Sequence, residues 1–148
     1  MTCQILSEKQ ADFNAIEHRM SVKLPIDYKA FLTKYNGMVA EDVIIKIEDI
    51  GEETMLNLLF SCDNDLARAL TLDYWNTEYD EDIPEGSLLI GDFQDGGFLL
   101  LIPEGEYKGV YYYDHAYTFE ASDDDNNTYF LAETFDAFMK SLKLDLAL

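Results

Sequence analysis

The chain has 148 residues, the usual size of one domain, and 48% of them are apolar. Ten Lys and Arg stand against 30 Asp and Glu, a net charge of −20, which repels nucleic acid phosphates and anionic lipid headgroups. With 14% aromatic residues, disorder from low hydrophobicity is excluded as well.

The opening, MTCQILSEKQ, has no basic region followed by a long apolar core, so no secretory signal is expected. The longest apolar run, Phe98–Ile102, falls far short of the ~20 residues of a membrane helix. Two cysteines, Cys3 and Cys62, fit a reducing cytosol better than a disulfide framework, although a pairing between them is open. A cytoplasmic location is expected.

Ser7 and Gln10 form a capping-box pattern, and Phe13, Ile16 and Met20 follow at helical spacing, which predicts a helix over 8–20. Pro25 suits the first turn of a second helix over 25–35, with Tyr28, Phe31, Leu32 and Tyr35 on one face. Asn36-Gly37 supplies its stop, because glycine takes the left-handed conformation without strain. Val43–Ile47 is rich in β-branched residues and reads as a strand, whereas Met55–Phe60 fits a strand or a helical turn. Asp63, Asn64 and Asp65 offer caps for a helix reaching Trp75.

The centre carries the clearest β signal. SLLIGDF and FLLLI flank QDGG, and Asp95-Gly96 suits a hairpin turn that requires positive φ. GVYYYDH gives a third strand and AYTFEA a fourth, so an antiparallel meander is expected. In GVYYYDH, Tyr111 and Tyr113 share one face and Tyr112 takes the other. After an acidic loop at 122–127, Leu131, Phe135, Phe138 and Leu142 recur at helical spacing, which predicts that most of the remaining chain is helix. Helices at both ends of a sheet make the fold class α+β, in one domain over 1–148.

Three blocks in this order resemble the SUKH superfamily, whose founding members include a yeast cell-wall assembly regulator. The first is KLPIDYKAFLTKYNG, with Leu24, Pro25, Tyr28, Phe31, Asn36 and Gly37 at the motif positions. The second is LLIGDFQDGGFLLLI followed by GVYYYDH, with Gly91, Asp92, Gly96, Gly97, Tyr111 and Asp114. The third is YFLAETFDAFMKSL, with Phe135 and Phe138. The resemblance implies a curved, mainly antiparallel sheet with N-terminal helices and a C-terminal helix packed on it. It implies no catalysis and no cofactor. Bacterial relatives are mostly immunity proteins that bind and neutralise polymorphic toxins, many of them nucleases. Eukaryotic relatives look like intracellular regulatory or scaffolding modules, which is the alternative reading.

The residues give little support to other chemistry. Of the two histidines, His18 falls in the first predicted helix and His115 follows Asp114 at a strand end; Asp114-His115 could act as an acid–base pair, but Asp114 ending the strand and fixing a turn is the stronger reading. An EF-hand register over the 122–133 segment lacks the acid at position one and the glycine at six, so no dedicated metal site is expected. The glycines of 91–97 precede a strand rather than a helix, and Asp92 and Asp95 would repel phosphate. Aromatic platforms for nucleic acid need a basic groove, which the sequence lacks.

The acidic charge itself is uneven. Residues 1–40 hold five basic and four acidic side chains, and residues 41–148 hold five basic and 26 acidic. Between Arg68 and Lys140 the only basic residue is Lys108. Two clusters stand out: Asp80, Glu81, Asp82 and Glu85, then Asp123, Asp124 and Asp125. Both fall in predicted loops, where binding residues often sit. The expectation is an acidic surface, concentrated on one side, that docks a basic protein partner, above all a nuclease-type toxin domain whose groove is built for phosphates.

Overall fold

A computed structural model describes residues 2–142, with side-chain burial from Gln4 onward. The chain begins with a strand that the sequence does not announce, β1 (Thr2–Ile5), and then forms two helices, α1 (Phe13–Met20) and α2 (Ile26–Lys34). A long hairpin follows, β2 (Met38–Ile47) and β3 (Glu52–Leu59), joined through a single 3₁₀ turn at Glu48–Ile50. Helix α3 (Leu72–Glu78) precedes β4 (Leu88–Phe93), β5 (Phe98–Ile102), β6 (Gly109–Tyr113) and β7 (Thr128–Ala132), and α4 (Phe135–Ser141) comes last.

The seven strands pair in chain order, each antiparallel to the next. The predicted meander is therefore present, with β1 added at one end and β7 in place of AYTFEA at the other. Register shifts interrupt four of the six ladders, between Val39 and Val43, Leu56 and Leu58, Leu89 and Gly91, and Val110 and Tyr111. Bulges of this kind bend strands and add twist, and the sheet curls into a half-barrel. Gly91 sits at one of them, where a Cβ would lie 2.4 Å from the Leu58 carbonyl oxygen. The fold is α+β with a curved sheet.

The central strands are buried on both faces: Leu88, Leu89, Ile90, Leu99, Leu100 and Leu101 are all 2% exposed or less. An alternating amphipathic pattern is absent from LLIGDF and FLLLI for this reason. Aromatic rings join the two end helices. Phe135 of α4 meets Tyr28 at 5.0 Å and Phe31 at 5.1 Å, both edge-on. Each of these buried rings contributes about 1.5–3 kcal/mol of transfer free energy.

Four local expectations are corrected. Helix α1 starts at Phe13, because the Asp12 carboxylate caps Ala15 N, while the Ser7 hydroxyl donates to Asp63 at 2.7 Å. The helix expected over 63–75 is displaced to 72–78. Ser61 and Thr71 form a bridge, with Leu72 N donating to Ser61 O and Ser61 N to Leu70 O, which holds Thr71 extended until its own hydroxyl caps α3. AYTFEA is a run of turns, because the Asp114 carboxylate draws in the amides of Thr118 and Phe119. The fourth strand of the meander's second half is instead Thr128–Ala132, so Leu131 lies in β7 and the final helix starts only after Thr134, its cap. Cross-strand pairing of Tyr129 with Tyr112 overrides the helical periodicity there.

Candidate functional site

Both acidic clusters lie in loops, as expected. Asp80, Glu81, Asp82 and Glu85 are exposed in the turns between α3 and β4, and Asp123, Asp124 and Asp125 are exposed in the turn before β7. No ion pair among the described residues uses any of these seven carboxylates; the pairs found are Lys9 with Asp63 and Asp65, Arg19 with Asp73, Lys29 with Glu17, Lys46 with Glu48 and Lys140 with Asp136. Asp123 accepts the amides of Asp125 and Asn126, which folds its own turn, and Asp124 accepts the Tyr117 hydroxyl.

The two loops approach each other across aromatic side chains. Tyr79, at the root of the first loop, packs edge-on against His115 at 5.2 Å and against Phe98 at 4.9 Å. His115 also stacks on Phe98 at 4.6 Å and meets Tyr113 at 5.9 Å. Trp75 of α3 closes the group behind Tyr79 and Phe98. Phe98 is buried, whereas Tyr79, Tyr113 and His115 are half-buried, so together they form a shelf that reaches solvent. Burial first, and then the Asp82 carboxylate, push both the Tyr79 and the Tyr113 hydroxyls above the ordinary phenol range. The Asp82 amide donates to Tyr79 O at 3.0 Å, so the first acidic loop turns back at the shelf. On its other side the first loop borders a groove of about 830 Å³, where Asp80 and Glu85 face Arg19 and Asp73.

Acidic charge is not confined to this face. Glu48, Asp49, Glu52 and Glu53 are exposed at the β2–β3 turn, and Glu104 and Glu106 at the β5–β6 turn. The expected concentration on one side is corrected to that extent: every turn of a meander reaches the surface, so acids placed in turns end up at both ends of the sheet. What sets the 79–125 face apart is the aromatic shelf between its two acidic loops.

The motif residues build the scaffold beneath. Asn36, only 3% exposed, accepts from Ser61 Oγ, Cys62 N and Cys62 Sγ through Oδ1 and donates to Lys9 O through Nδ2. Gly37 has φ 87°, and a Cβ there would lie 2.8 Å from that of Ser61. Leu24, Tyr28, Phe31, Phe135 and Phe138 are core, and Pro25 stands at the start of α2. Gly96 takes φ 97° in the hairpin turn, as its sequence context predicts. Gly97 makes room for Tyr112, whose ring and hydroxyl would come within 2.6 Å of a Cβ. The Tyr112 hydroxyl donates to Asp95 Oδ1, which also accepts Gly97 N, while Asp95 Oδ2 accepts Thr54 Oγ1. Asp92 is largely buried and accepts from Asn57 Nδ2; burial raises its carboxyl to about 6. Tyr111 is half-buried and its hydroxyl donates to Tyr107 O.

Asp114 is fully buried and accepts Thr118 N, Phe119 N and Ser122 Oγ. No hydrogen bond links it to His115, whose Nε2 lies 2.7 Å from Gly96 O and so donates to that carbonyl. The pair is a turn anchor and a hairpin clasp, not an acid–base couple. Cys62 is a free thiol, half-buried against Asn36; the side chain of Cys3 lies outside the described residues. No described helix is long and apolar enough to cross a membrane.

A model of the SMI1 / KNR4 family (SUKH-1) matches residues 8–141, nearly the whole described chain. The chain belongs to that family. No curated protein and no solved structure compared with it gives a significant match. In this SUKH domain the motif positions are the ones that fix the hairpin, the α2 exit and the 114–122 turn. The acidic loops hang from those fixed points. SUKH domains bind partner proteins. The sequence shows the acids but not the shelf: Tyr79, Phe98, Tyr113 and His115 come from three separate segments, and only the expected meander of FLLLI with GVYYYDH hints that 98 and 113 lie side by side.

Proposed function

We propose that this SUKH domain is a non-catalytic immunity protein that neutralises a polymorphic toxin by stoichiometric occlusion. The observation that carries the reading is a set of exposed carboxylates that form no ion pair among the described residues, in two loops flanking one half-buried aromatic shelf. A charge with no partner in its own fold does little for stability and is free to act at long range. A basic toxin domain, above all a nuclease, presents Lys and Arg to its substrate, and the acidic loops would take the place of phosphates. Electrostatic steering raises association rates towards about 10⁸–10⁹ M⁻¹s⁻¹ at low salt, which suits capture before the toxin acts. Family membership supports a protein-binding role of the immunity kind.

The test is co-expression with a candidate toxin domain taken from the genes neighbouring this one, followed by titration of toxin activity with purified protein. The expected result is a 1:1 complex and activity that falls linearly to zero at one equivalent. A stable complex with intact toxin activity would count against occlusion.

A further inference from the structure

We propose that the shelf formed by Tyr79, Tyr113 and His115 receives an arginine side chain of the cationic partner, with the loop carboxylates beside it closing the contact. This inference rests on the acidic-surface reading and narrows it to one contact and one side-chain type. The Tyr79 and Tyr113 rings each stand within 6 Å of His115, and all three are half-buried. The Asp82 amide donates to Tyr79 O at 3.0 Å, which turns the first acidic loop back at the Tyr79 end of the shelf. Beyond Tyr113, the exposed Tyr117 holds a left-handed backbone conformation, φ 54°, and directs its hydroxyl to Asp124, so the second acidic loop borders the same surface.

A surface that offers ring faces and carboxylates together suits a guanidinium better than an ammonium. The guanidinium is planar, stacks on aromatic rings, is weakly hydrated and presents a fork of donors to a carboxylate. Lysine offers a compact, strongly hydrated charge that gains less from a ring. The same aromatic cluster already holds one such contact internally: Arg68 lies over the Tyr74 ring at 5.1 Å, and Tyr74 packs on Trp75, which packs on Tyr79. Tyr79 and Tyr113 have no cation of their own among the described residues, since the cation–ring contacts found are on Phe13, Tyr35 and Tyr74.

The experiment is calorimetric titration of the full chain with nona-arginine and with nona-lysine at about 50 mM salt, where surface charge is weakly screened. The wild-type protein is expected to bind nona-arginine about fivefold more tightly than nona-lysine, the scale of one cation–ring contact. Tyr79→Leu with Tyr113→Leu is expected to erase that preference and leave nona-lysine affinity unchanged. Tyr79→Phe with Tyr113→Phe, which keeps the rings, retains it. Should the leucine variant unfold, the ring proton shifts of wild-type Tyr79 and Tyr113 decide: they move with nona-arginine and stay with nona-lysine. Equal affinity for the two peptides, a preference that survives in a folded leucine variant, or unmoved ring shifts would overturn the shelf proposal and leave the acidic-surface reading standing. Failure of both peptides to bind would overturn that reading as well.

Discussion

The amino-terminal third of the molecule and the face around loops 79–86 and 114–127 treat charge in opposite ways. In the first, three of the five cations of residues 1–40 have a carboxylate: Lys9 reaches Asp63 and Asp65, Arg19 reaches Asp73 and Lys29 reaches Glu17. On the second, the carboxylates divide into two kinds. Asp95 and Asp114 are enclosed and accept three hydrogen bonds each, which ties the hairpin and the long turn to the sheet. Asp80, Glu81, Asp82 and Glu85 are exposed and form no ion pair among the described residues. The lesson is that an extreme net charge says little about any single acid: some hold the chain together and others have no structural task.

The sharpest way to break that contrast is Asp114→Ala. It takes the acceptor from the Thr118 and Phe119 amides and leaves the Ser122 hydroxyl only its contact with the Tyr129 hydroxyl, and each group left unpaired costs about 1–3 kcal/mol. A loss of about 3–5 kcal/mol in urea unfolding is expected; a loss under about 1 kcal/mol would show that the 114–122 turn stands without its anchor. Gly97→Ala follows at about 3 kcal/mol, because the added methyl must displace the Tyr112 ring and its hydrogen bond to Asp95. An unchanged melt would mean the hairpin can shift off Tyr112 freely.

Asp92→Asn has the opposite sign. The Asp92 carboxyl rises from 3.8 to about 6 on folding because burial disfavours its charge. Between those values the native chain holds a proton that the unfolded chain has lost, so stability falls as pH rises through that window. At pH 7 the ionised group then lowers stability by up to about 3 kcal/mol, at about 1.4 kcal/mol per unit. The amide should recover about 2–3 kcal/mol at pH 7 and nothing below about pH 4, measured by denaturant melts at both. A gain that persists in acid would point to packing rather than ionisation.

The smaller effects lie on the surface. Arg19→Ala should lose less than about 1 kcal/mol, since its pair with Asp73 is partly exposed. Asp80→Asn with Glu81→Gln and Asp82→Asn should leave the melting curve within about 0.5 kcal/mol of wild type. The same triple variant should slow capture of a basic partner and flatten its salt dependence, read by stopped-flow mixing. A large stability loss in that variant would show that these acids do structural work, against the contrast drawn here.

The family blocks, the α2 helix, the hairpin at Asp95-Gly96 and the antiparallel meander were legible because each depends on local periodicity or on one residue's backbone freedom. The strand at 128–132 was not: Leu131, Phe135 and Phe138 share a helical spacing, and only pairing with β6 makes the first of them a strand residue. The same limit explains the 63–75 segment, where a bridge between Ser61 and Thr71 delays the helix.

By itself the sequence determined which acids lack a neighbouring base and which glycines turn the chain, since charge order and positive φ are properties of adjacent residues. Tertiary structure alone decided that Asp114 is a buried anchor and that Tyr79, Tyr113 and His115 meet between two acidic loops. Burial and ring contact arise from residues far apart in the chain, and nothing in local spacing records which of them the sheet will bring together.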